Sequence, residues 1–224
     1  MTERKPTVLP VLLLLLVPSV ACAAGLPDFE SDRQADLWLR EHSSRYRSMA
    51  EAADRRGGYT IGRTVEAPAG LAYFKDGRGY IELNDALKGA QRVSVLIFEV
   101  TNLHQEPRHQ EVANRVRQGE LNNPAAFGLL REMIEYDGLR LHRDVLVELK
   151  PVLGTVPPEM ITWASSTAKS FAEYQLPFAY DYLKAQAASG HTGHYLGLFE
   201  RHRAEYLKAT RKEEKEAAPA AADK

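Results

Sequence analysis

Hydrophobic positions recur along this chain in three rhythms, and each predicts a different element. Between residues 31 and 56, Ala35, Trp38, Leu39, Tyr46, Met49, Ala50 and Ala53 return at three- and four-residue steps. That spacing puts them on one face of a single helix. Ser31 or Asp32 can cap its start, and Gly57-Gly58 ends it, because glycine takes the left-handed cap conformation without steric cost. Residues 59 to 84 follow a strand rhythm. Leu71-Ala72-Tyr73-Phe74 and Tyr80-Ile81-Glu82-Leu83 flank Asp76-Gly77-Arg78-Gly79, a hairpin with glycine where the turn needs positive φ. Tyr59 to Val65 offers a further strand.

Over 91–104 the pattern supports two readings. Val93, Leu96, Ile97, Val100 and Leu103 form a helical stripe, while the β-branched Val93, Val95, Ile97 and Thr101 would also suit a buried strand. The length of the stripe favours helix. Further along, a short charged helix is expected at 109–118, separated from the previous one by Pro107. A long helix is expected over 124–150, opened by Pro124, with Phe127, Leu130, Ile134, Leu141, Val145 and Leu149 on its buried face. Pro157-Pro158 and Pro177 introduce further helices reaching residues 173 and 189, and a last helix spans 192–216. The sum is an α+β protein, mostly helical, with a small antiparallel hairpin sheet packed on a helical bundle. It reads as one domain over 26–210, followed by a charged, alanine-rich tail at 211–224.

The third rhythm is an almost wholly apolar run at the N-terminus, interrupted by Pro10. Arg4 and Lys5 precede Val8 to Val17, which contains the leucines 12–16, and Ser19-Val20-Ala21-Cys22-Ala23-Ala24 supplies small residues for a signal peptidase. At 1.5 Å per residue this run of about ten residues is too short to cross a bilayer core of ~30 Å. Residues 1–24 are therefore expected to be an export signal, which places the mature protein in the periplasm, on the outer membrane as a lipoprotein, or outside the cell. Cys22 is the sole cysteine. Ser19-Val20-Ala21-Cys22 resembles a bacterial lipobox, whose cysteine becomes lipidated; cleavage after Ala23 or Ala24 would instead discard it. In both cases the mature domain contains no disulfide.

Charge narrows the function classes. The 224 residues carry a formal net charge of −1, which gives no basic face for nucleic acid. Ser165, Ser166 and Ser170 lack a Gly-x-Ser-x-Gly setting, no phosphate-binding loop is present, and no cofactor is expected. Tyr174, Phe178, Tyr180, Tyr182 and Tyr195 make a locally aromatic region, read either as core or as a ligand surface.

One constellation carries candidate chemistry. In Leu96-Ile97-Phe98-Glu99-Val100-Thr101-Asn102, Glu99 interrupts an apolar run, and a carboxylate buried there costs several kcal/mol unless it is paired or protonated. Arg140 or His142, on the helix that also carries Glu135, is a possible partner. The order of hairpin, helix with a central Glu and second helix with another Glu, over residues 70–150, resembles the zincin metallopeptidases. Their His-Glu-x-x-His motif places two zinc-binding histidines on one helix face, with the Glu activating the metal-bound water. The matching stretch here is Phe98-Glu99-Val100-Thr101-Asn102, in which the Glu remains and both histidine positions differ.

The resemblance implies a cleft that keeps Glu99, Asn102 and Glu135 but lacks the catalytic metal. It also implies strand 79–84 as the edge along which a peptide or protein segment binds. Two alternatives stay open: an active metal-dependent hydrolase using His104 with Glu99 and Glu135, or a structural envelope lipoprotein. His104, His109, His191 and His194 are the remaining candidate metal ligands, with Glu106 or Glu111 beside the first pair and His202 and Glu200 after the second. The expected partner is an envelope protein or peptide. The membrane is reached only through a lipid on Cys22.

Overall fold

A computed structural model describes residues 25–67, 69–161 and 191–217. The export segment with Cys22, the helices expected between 162 and 189, the serines at 165–170 and the aromatics at 174–182 lie outside the described residues. The chain runs α1 (Asp32–His42), α2 (Ser44–Asp54), β1 (Tyr59–Thr64), β2 (Gly70–Lys75), β3 (Arg78–Asn84), α3 (Gly89–Arg117), α4 (Pro124–Leu153), a 3₁₀ turn (Pro158–Met160) and α5 (His191–Ala217). The protein is α+β and mostly helical, with one small sheet. Among the described residues no helix is long and apolar enough to cross a membrane.

The helix expected over 31–56 is two helices. Ser43 between them is extended (φ −132°, ψ 117°), and its hydroxyl accepts the Tyr46 amide as the cap of α2. Its oxygen also donates to Glu148 of α4, which takes the Ser44 hydroxyl and the Arg45 amide as well. A carboxylate at a helix N-terminus satisfies orphan amides and meets the positive end of the helix dipole. Burial opposes ionisation of Glu148, but these donors outweigh it and hold its carboxyl below the ordinary range. The helical spacing continues across the break, so periodicity alone hides it.

The sheet order is β1-β3-β2, with β2 antiparallel and β1 parallel to β3. The hairpin falls where the sequence placed it, turning at Asp76-Gly77. Two expectations are corrected. The sheet is mixed rather than purely antiparallel. Strand 79–84 lies within β3, the central strand, and among the described residues the edges belong to β1 and β2. Gly57 fits the adjoining corner because a Cβ there would sit 2.1 Å from the Gly77 carbonyl oxygen, and its φ is +102°.

α3 is one helix of 29 residues, not a helix broken at Pro107. Proline lacks the N–H that would reach the carbonyl of Leu103, four residues back. Arg56 supplies the missing donor: its Nη2 reaches the Leu103 oxygen at 2.5 Å while the guanidinium lies over the Phe74 ring. A side chain from the turn after α2 thus offsets the break.

The main core joins the inner face of the sheet to α1, α2, α3 and α4 through Leu39, Tyr46, Met49, Ile81, Leu83, Leu96, Ile97, Leu103 and Leu149. Each such side chain contributes about 1.5–3 kcal/mol on burial. A smaller cluster of Val112, Val116, Phe127, Ile134, Tyr195 and Phe199 joins the distal half of α3 to α4 and α5. Between these two apolar clusters lies the cleft described next.

Candidate functional site

Position along α3 decides which side chains reach the cleft. The first half of the helix is apolar on several faces because it meets the sheet on one side and α4 on the other. Glu99 falls on the side between β2 and α4. It is 4% exposed. Asn102, one turn on, donates from Nδ2 to Glu99 Oε2 at 3.1 Å. Burial pushes the Glu99 carboxyl up to about 8; the Asn102 donor opposes this and the charge of Glu135 adds to it. Glu99 is therefore protonated at neutral pH.

The expected partners of Glu99 are elsewhere. Arg140 is exposed on α4. His142 is buried on another side of α3, where its Nε2 lies 3.0 Å from Ser94 Oγ and 3.2 Å from the Ser94 carbonyl. Ser94 Oγ in turn donates to the Met160 carbonyl, so this pair fastens the 3₁₀ turn. Burial lowers the His142 ring to about 4, with the Ser94 backbone opposing. One turn before His142 on α4, Gly138 packs close to α3: a Cβ there would lie 3.3 Å from Thr101 Oγ1 and 3.8 Å from Asn102 Oδ1.

The cleft has a volume of about 570 Å³. The loop after β1 contributes Glu66 and Ala67, β2 contributes Gly70 to Ala72, and α3 contributes Phe98, Glu99, Asn102, Glu106 and His109. α4 supplies Arg131 and Glu135, and α5 supplies His194 and Tyr195. Glu99, Asn102 and Glu135 line one cavity, with His109 and His194 on its wall. Gly70 is needed at the mouth: a Cβ there would lie 2.8 Å from Glu99 Oε1 and 2.9 Å from Val95 Cγ1. Sequence reasoning passed over Gly70, Glu66 and Arg131 as cleft residues, and had Tyr195 only as core or part of an aromatic ligand surface. A glycine opening a strand was the one available signal.

The far wall is cationic and aromatic. The Arg131 guanidinium lies 5.3 Å from the Tyr195 ring centre and 5.9 Å from that of Phe127, and its Nη1 is 3.5 Å from the His109 carbonyl. Tyr195 donates its hydroxyl to Glu135 Oε1 at 3.2 Å. His109 is 5% exposed, with Nε2 3.9 Å from Glu135 Oε1. Burial first, then Arg131 and Arg108, lowers its ring to about 3, which outweighs a contact at that range. The ring is neutral, and its Nδ1 has no hydrogen-bond partner among the described residues.

Zinc does not fit the described residues of this cleft. Phe98 offers no donor atom, Asn102 is turned toward Glu99, and no three His, Cys, Asp or Glu side chains among the described residues are grouped to hold a metal. His104, the displaced ligand of the hydrolase alternative, is absent from the cleft lining; burial lowers its ring, with Arg56 and Arg108 adding to this. His191 opens α5. His202 lies eleven residues further along, 3.6 Å from Glu205.

No protein-family model, curated protein or solved structure matches the chain.

Proposed function

We propose that this is an exported envelope protein whose zincin-like cleft binds an extended peptide or protein segment without cleaving it. The observation that carries the reading is the placement of Glu99, Asn102 and Glu135 in one cavity directly against β2, an edge strand. The segment runs along β2 rather than along strand 79–84, which is central. Asn84 donates to the Ala69 carbonyl at 2.8 Å, which fixes the phase of the β2–β3 ladder. In an antiparallel ladder the narrow pairs then fall on 71, 73 and 75, leaving the amides of Gly70, Ala72 and Phe74 directed to the free edge. Added strands are held by such groups, with alternate side chains entering neighbouring pockets. Phe98 and Asn102 at the histidine positions favour binding over hydrolysis.

The test is amide hydrogen exchange on the mature protein with and without a panel of extended peptides. Protection confined to Gly70, Ala72 and Phe74 is expected, with the peptides recovered intact. Protection elsewhere, or cleaved peptide together with one stoichiometric zinc, overturns the reading.

A further inference from the structure

We draw no further inference here: the strongest candidate, the cavity of about 220 Å³ where the N-terminus of α3 at Lys88-Gly89, without a side-chain cap, opens beside Arg63 and Arg92, rests on a helix N-terminus alone, since Arg92 is paired with Asp32 and no buried side chain lacking a partner among the described residues lines it.

Discussion

Asp36 and Glu99 are both buried carboxyls on helices that pack into the same core, yet their surroundings are opposites. Asp36 is 0% exposed and surrounded by donors: Arg33 at 2.6 Å and Arg40 at 3.2 Å, with the hydroxyls of Tyr46 at 2.8 Å and Tyr59 at 2.5 Å. These partners come from α1, α2 and β1, so the carboxylate ties three elements together. Glu99 has one described donor, an amide on its own helix, and faces another carboxylate across a cavity. A fully donated carboxylate belongs to the architecture. One held nearly dry beside a cavity, with acceptor capacity unused, is arranged for something that is not part of the fold.

The largest expected effect is at Asp36. Asp36→Ala leaves two buried tyrosine hydroxyls without their acceptor and Arg40 with Asp54 as its remaining carboxylate, and the unfolding free energy should fall by about 3–5 kcal/mol in urea titration. Glu99→Gln should do the reverse at pH 7. It removes the need to protonate a carboxyl on folding, so stability should rise by roughly 1–3 kcal/mol at pH 7 and change little near pH 4. A loss at Glu99 as large as that at Asp36 would collapse the distinction between them.

A third buried acceptor sharpens the contrast by being satisfied from a distance. Arg56→Met strips the donor from the Leu103 carbonyl that Pro107 leaves open, and should lower stability by about 1–3 kcal/mol. In a Pro107→Ala background the restored amide takes that carbonyl, and the loss should shrink by more than half. A double-mutant cycle of denaturation midpoints measures the coupling. Gly70→Ala should lower stability by about 1–3 kcal/mol through its contacts with Glu99 and Val95. It should also weaken peptide binding by closing the mouth of the cleft.

The pH dependence follows from groups of opposite sign. Glu99 is raised to about 8, so between its unfolded value near 4.5 and about 8 the folded state binds the extra proton, and stability falls as pH rises. His109 and His142 are lowered to about 3 and about 4 from 6.5, and His104 and His202 shift in the same direction. For these the unfolded state binds more protons below pH 6.5, so stability falls as pH drops. Each proton contributes a slope of about 1.4 kcal/mol per pH unit. Maximum stability is expected near pH 6.5. Glu99→Gln should remove most of the alkaline limb and leave the acid limb intact, as read from denaturation curves at half-unit intervals.

The sequence disclosed what local chemistry controls. The hairpin at Asp76-Gly77, the long α4 behind Pro124 and the helical nature of 93–103 follow from glycine, proline and apolar spacing. That Glu99 is a buried carboxyl in an apolar run was also readable; which groups surround it was not. What was hidden depends on contacts distant in sequence. Ser43 breaks a regular pattern because Glu148, over a hundred residues later, caps the new helix. Pro107 fails to break α3 because Arg56 replaces its missing donor. Strand order is likewise a tertiary choice, and it moved the free edge from the expected strand to β2. His142 was matched to Glu99 on charge alone, and Ser94 claimed it instead.

The most direct test of the account is a carbon-13 NMR titration of the Glu99 side-chain carboxyl in the mature protein, assigned by comparison with Glu99→Gln. A midpoint near 8 is predicted, as for a carboxyl kept dry and without a counter-charge beside a cavity. A midpoint at or below the ordinary value of about 4.5 would show that a cation already holds Glu99, and would return it to the architecture alongside Asp36.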